Sequence, residues 1–215
     1  MSEVDIRRAV VGMLAAGPAG IARLIVHEYG IAAGRVRADV AELTGDAIHL
    51  VEIKSAADTL SRLPRQADLY CRVADRCTLA ADPAHLDAAA ALLPDWWGLV
   101  AVDGDRLRML RAGRPNPAPD PVTTAMLLWA PELATAVREA GQTGGTAGVG
   151  RDGLAAVLVA AAADVRPVVR AGLLARRWED VAAADGGTRF VRHPDPVAKR
   201  PVRRASSRAR RRIGG

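Results

Sequence analysis

Residues 36–55 read VRADVAELTGDAIHLVEIKS, two runs of alternating apolar and polar residues on either side of Gly45-Asp46. A glycine-containing dipeptide between such runs marks a two-residue hairpin loop, flanked here by Thr44 and Ala47. Opposed residues then have numbers summing to 91, which sets Asp39 across from Glu52. Directly opposed antiparallel residues hold their Cβ atoms about 4.5–5.5 Å apart on one face. Side chains alternate along a strand, so Lys54 shares that face while Val40, Val51 and Ile53 take the other. Two carboxylates this close repel unless a positive charge lies between them or one is protonated. Hard oxygen ligands suit Mg²⁺ or Mn²⁺. Such an ion would polarise a phosphate and acidify its own water, with Lys54 orienting that water or stabilising the charge that develops. The expectation from this hairpin is metal-dependent phosphodiester hydrolysis.

Working outward, residues 3–15 and 20–29 read as two helices parted by Gly17, Pro18 and Gly20. Beyond the hairpin, residues 59–73 are expected to be helical, with Pro64 near the start, where proline is best tolerated. A short strand at 78–81, a helix at 85–93, and a hairpin of 97–102 with 106–111 turned at Asp103-Gly104 complete a mixed α/β sheet domain over residues 1–112. Residues 113–123 form a proline-rich connector. Residues 124–195 read as a helical appendage with a glycine-rich break at 141–153, and residues 196–215 as a disordered basic tail.

Half of the 215 residues are hydrophobic and a quarter charged, ordinary for a soluble globular chain, but only seven are aromatic, so aliphatic side chains must build the core. No run approaches the roughly 18 apolar residues of a membrane span, and the N-terminus lacks a signal-peptide pattern, so a cytoplasmic location and no membrane partner are expected. Cys71 and Cys77 are too few for a disulfide framework or a zinc site and read as reduced thiols. The net charge is +6, yet residues 196–215 alone carry +8 with no acid, which leaves the rest at −2. Arginines without acidic balance raise affinity for nucleic acid.

Asp39, followed by Glu52-Ile53-Lys54, resembles the catalytic signature of the PD-(D/E)XK nuclease superfamily, with Ala38 where the name of the signature has proline. Glu28 matches the acid that many members carry on the preceding helix, and Gln66 with Tyr70 matches the Gln-x-x-x-Tyr element of the RecB-like branch. The runs GRVRADVAELTG, HLVEIKSAADTLSRLPRQADLYCRVADRCTL and LLPDWWGLVAV are similar to a small bacterial and phage family within it. The resemblance implies a restriction-endonuclease-like mixed sheet core with flanking helices and a helical C-terminal appendage. It implies catalysis by Asp39, Glu52, Lys54, Glu28 and Gln66, and Mg²⁺ or Mn²⁺ at Asp39, Glu52 and Ile53. Nucleic acid, DNA being the expected kind, would be met by Tyr70, Arg37, Arg62 and Arg65, joined by Arg203, Arg204, Arg208, Arg210, Arg211 and Arg212 of the tail. The function implied is a nuclease of repair, recombination or defence. The alternative is a non-catalytic nucleic-acid-binding or adaptor protein on the same scaffold.

Three other signals carry less. Gly148-Val149-Gly150-Arg151-Asp152-Gly153 fits a dinucleotide fingerprint but lacks the strand that should precede it, so it reads as linker. His27, His49, His85 and His193 show no paired ligand spacing, and Trp96-Trp97 at a strand entry reads as packing.

Overall fold

The hairpin forms in the expected register. Strands β2 (Val36–Leu43) and β3 (Ile48–Lys54) pair Val40 with Val51, Ala41 with Leu50 and Leu43 with Ile48, and the Thr44 amide donates to the Ala47 carbonyl at 3.0 Å. The computed structural model describes residues 2–18, 21–32, 34–104, 106–142, 148–180 and 188–192. The basic tail and its six proposed arginine contacts lie outside the described residues.

Around the hairpin the described residues build one eight-stranded sheet. The remaining strands are β1 (Arg23–Ile31), β4 (Arg76–Ala81), β5 (Gly98–Asp103), β6 (Arg106–Arg111), β7 (Glu179–Asp180) and β8 (Thr188–Arg192), in the order β6-β5-β4-β3-β2-β1-β8-β7. The pairs β3·β4, β4·β5 and β1·β8 are parallel and the others antiparallel. The stretch expected as a second helix, residues 20–29, is instead the central strand β1. Its Leu24, Ile25 and Val26 are all buried because the sheet is covered on both faces, so the run has no alternation to reveal it as a strand.

Among the described residues one face is covered by one helix, α1 (Glu3–Ala15). Ser2 caps its start in a reciprocal bond with Asp5, and Ile6, Val10 and Leu14, one turn apart, pack on Ile25, Val40, Val51, Ile53, Val100 and Val102. The opposite face carries α2 (Leu63–Cys71), α3 (Pro83–Leu92), α4 (Pro121–Ala125), α5 (Ala130–Glu139), α6 (Arg151–Ala161) and α7 (Arg166–Ala175). One apolar layer runs from Leu50 and Leu79 on the sheet through Leu133 and Leu158 to Leu173, so the second half of the chain shares the core of the first. That half also adds strands β7 and β8, which a purely helical reading of it did not anticipate. The Gly148–Gly153 motif starts α6, with Gly150 as its N-cap. No helix among the described residues is long and apolar enough to cross a membrane.

The alternation of β1 and β2 breaks at one matched point. Leu24 and Val26 share an apolar layer with Tyr29 and Ile31, and on the partner strand Ala41 and Leu43 share it with Ala38 and Val36. Glu28 has φ +52°, a left-handed conformation that reverses the side-chain parity, and it falls at the register position opposite Asp39. Both acids are thereby released from the apolar layer.

The helical half is anchored by Arg176, whose side chain is 1% exposed. Its guanidinium donates to both Glu132 carboxylate oxygens at 2.8 and 2.6 Å and to the Leu127 carbonyl at 2.8 Å, and lies over Trp129 at 4.3 Å. Removing one partner of a buried pair typically costs about 3–5 kcal/mol. Arg176→Ala should lower unfolding stability by about that much in urea titrations. Arg176→Lys should lose less, keeping the charge without the planar fork.

Candidate functional site

Where β1, β2 and β3 meet α1 and α2, a cleft of about 400 Å³ opens, with Asp39, Glu52, Lys54 and Gln66 in its wall. Asp39, Glu52 and Lys54 line this one cleft, although the ladder of β2 with β3 ends at Val40 and Val51 and does not extend to Asp39 and Glu52, and the side chains are engaged with the protein itself. Glu52 is 1% exposed. Its Oε1 accepts from Lys54 Nζ at 2.6 Å and from Gln66 Nε2 at 2.6 Å, and its Oε2 from the Tyr70 hydroxyl at 2.6 Å. Lys54 is as deeply buried and also reaches Gln66 Oε1 at 3.3 Å. Its ammonium is therefore a buried counter-ion to Glu52.

Asp39 turns elsewhere. Its Oδ2 accepts from the Ile53 amide at 2.7 Å, and its other oxygen lies 3.6 Å from Arg7 of α1. Carboxylate oxygens of Glu3, Glu28 and Asp39 come within 4.8 Å of one another. Arg7 sits among them, bonding Glu3 at 2.5 Å and Glu28 at 2.8 Å and donating through its other terminal nitrogen to the Asp39 carbonyl at 2.5 Å. The positive charge that neighbouring carboxylates require is thus supplied twice from within, by Lys54 and by Arg7. Arg7 and Glu3 were missed from the sequence; the only trace was an acid and an arginine four residues apart on α1.

Glu28, expected near a helix end, is on strand β1 at its left-handed break. Tyr70 is wholly buried, stacked on Trp97 at 5.9 Å, with its hydroxyl 2.8 Å from the Arg37 carbonyl oxygen. It positions Glu52 and the β2 backbone and is out of reach of a nucleic acid. Burial and the neighbouring Glu52 hold its pKa well above the ordinary value, so it stays a donor. Arg37, Arg62 and Arg65 are exposed and line the cleft, joined by Arg35, which the sequence reading did not single out. Trp96 and Trp97 are packed inside, and Cys71 and Cys77 are free thiols.

A mixed α/β sheet protein with an internally neutralised acid cluster is what these features define. A family model described as bacteriophage P4 protein cII matches residues 1–177, and the chain belongs to that family. No curated protein matches. Among solved structures it is similar to the SPO1766 protein of unknown function from Silicibacter pomeroyi, at 24% identity and a TM-score of 0.44, over 70% of this chain and 96% of that one.

The family match overturns the nuclease assignment made from the resemblance. The family is that of protein cII and not the PD-(D/E)XK superfamily. The restriction-endonuclease-like label, the enzyme class and the Mg²⁺ or Mn²⁺ cofactor are corrected with it; the mixed α/β sheet stands as structure. The physical reason lies in the donors. Glu52 already accepts three hydrogen bonds, Asp39 is held by the Ile53 amide, and Arg7 takes up the remaining acids. The donor set at Asp39, Glu52 and Ile53 therefore does not fit a divalent cation.

Burial, with the charge of Glu52 beside it, pushes the Asp39 pKa up to about 7 against the Ile53 amide, Arg7 and Lys54, which favour ionisation. The folded state then holds a proton that the unfolded chain, with an ordinary value of 3.8, releases earlier. Stability conferred by that proton is present at low pH and is lost as pH rises from about 4 to about 7. Asp39→Asn, which keeps an acceptor for the Ile53 amide, should flatten this decline in urea unfolding measured across that window. An unchanged pH profile would mean that Asp39 titrates normally.

Proposed function

We propose that this is a non-catalytic nucleic-acid-binding protein that grips the phosphate backbone at the mouth of the cleft. The observation that carries the reading is the placement of Arg35, Arg37, Arg62 and Arg65. They come from β2, the turn before it and the start of α2, line one cleft, and are all exposed. Among the described residues none of the four forms a salt bridge with a carboxylate, whereas the acids of the same cleft are engaged by Arg7, by Lys54 or, for Asp58, by Ser55. Guanidinium groups that form no salt bridge among the described residues, set beside carboxylates already engaged, give a cleft that attracts phosphate.

Exposed arginines from two elements fix the protein on a backbone without reading bases. Among the described residues no aromatic ring lines the cleft, and the neighbouring Tyr70 is buried, so base stacking has no ring to use there. Binding of this kind is indifferent to sequence. The eight cations of residues 196–215 would add to it, since each phosphate contact releases counterions.

The test is the salt dependence of binding to a labelled DNA. Each phosphate contact contributes roughly 0.9 to the slope of log affinity against log salt for duplex and roughly 0.7 for single strands. Replacing Arg35, Arg37, Arg62 and Arg65 together by Gln should flatten the slope by about 3 units if all four engage. The DNA should also remain intact in Mg²⁺. An unchanged slope, or Mg²⁺-dependent cutting abolished by Lys54→Met, would overturn the reading.

A further inference from the structure

Strand β6 ends the sheet, and its backbone is bonded to β5 alone; among the described residues no backbone group reaches its outer side. Side chains on it divide by face. Leu107 and Met109 lie opposite Val102 and Val100, on the side that α1 covers, and Arg106 and Arg108 lie opposite Asp103 and Ala101. A bulge then places the extra residue Leu110 before Arg111. Met109 is 56% and Leu110 42% exposed, and neither Arg106 nor Arg108 forms a salt bridge among the described residues.

Charged residues on an edge ordinarily deter further pairing. Here they stand beside exposed Met109 and Leu110, which serve no core and give an incoming chain apolar surface to cover. We propose that β6 is a docking edge for an extended acidic segment of a protein partner, added as a further strand. Main-chain bonds to the open edge would supply affinity, and alternation would supply selectivity. Acids at every second position of that segment would face Arg106 and Arg108, and apolar residues between them would cover Leu107 and Met109.

A second copy of this chain is a poorer occupant. Among the described residues the opposite edge, β7, consists of Glu179 and Asp180, and both are already paired with Arg192 and Arg189. Two β6 edges together would bring arginine-rich strands face to face with no acid between them. Nucleic acid would use the arginines but neither the open backbone edge nor Met109 and Leu110.

The experiment uses the full chain and a fluorescent, end-blocked peptide of alternating Glu and Val, followed by anisotropy and by amide hydrogen exchange. The peptide should bind and slow exchange within residues 106–111. Arg106→Glu with Arg108→Glu should weaken it by at least about tenfold, because a charge pair is replaced by like charges. All three side chains being exposed, this variant and the second one, Leu110→Asp, should keep the wild-type melting temperature. The proposal is overturned if a Lys-Val peptide binds equally well or if the double variant binds the acidic peptide like wild type. It is equally overturned if exchange slows only elsewhere, if the free protein dimerises through β6 as read by crosslinking at Arg108→Cys, or if a DNA oligonucleotide protects β6 and the peptide does not.

Discussion

Four carboxylates, Glu3, Glu28, Asp39 and Glu52, converge where the ends of α1 and the three strands β1, β2 and β3 meet α2, and the fold around them is organised to neutralise them from within. Lys54 and Arg7 divide the task between the two sides of the sheet. Lys54 forms a 2.6 Å pair with Glu52 under α2, and Arg7 gathers the other three acids from α1. For the two less exposed acids, hydrogen bonds complete the remaining lone pairs, from Gln66 and Tyr70 to Glu52 and from the Ile53 amide to Asp39. The network consequently ties both layers of helix to the centre of the sheet. It also determines what the cleft presents to solvent: neutralised acids below and four exposed arginines around them.

This division explains how an arrangement of acid, acid and amine on neighbouring strands can exist without being a metal centre. Neighbouring carboxylates need positive charge between them or a proton on one of them, and this protein supplies cations from Lys54 and Arg7 while burial beside Glu52 raises the Asp39 pKa to about 7. The difference is in the donors around the oxygens, which a linear pattern of Asp, Glu and Lys does not record. The chain belongs to the bacteriophage P4 protein cII family and not to the nuclease superfamily whose signature that pattern resembles.

Much of the frame was legible from local rules. The hairpin register from Leu43–Ile48 to Val40–Val51 followed from Gly45-Asp46, and a helix carrying Gln66 and Tyr70 was expected over residues 59–73, where the structure forms it over Leu63–Cys71. Strand β1 was not legible, because a strand buried on both faces loses the two-residue period and reads like a buried helix. The roles of Glu28 and Asp39 were hidden for a related reason: the left-handed φ at Glu28 reverses side-chain parity, which only the pairing of β1 with β2 makes visible.

By itself the sequence determined the hairpin turn at Gly45-Asp46 with its register from Leu43–Ile48 to Val40–Val51, and the concentration of positive charge in residues 196–215. These depend on neighbours a few residues apart or on composition alone. Tertiary structure decided whom each charged group meets. Arg7 reaches Asp39 across 32 positions and Tyr70 reaches Glu52 across 18, through the packing of α1 and α2 on opposite faces of one sheet. Whether a cluster of acids holds an ion or is held by the protein is settled by such distant donors, and no local pattern encodes where they arrive.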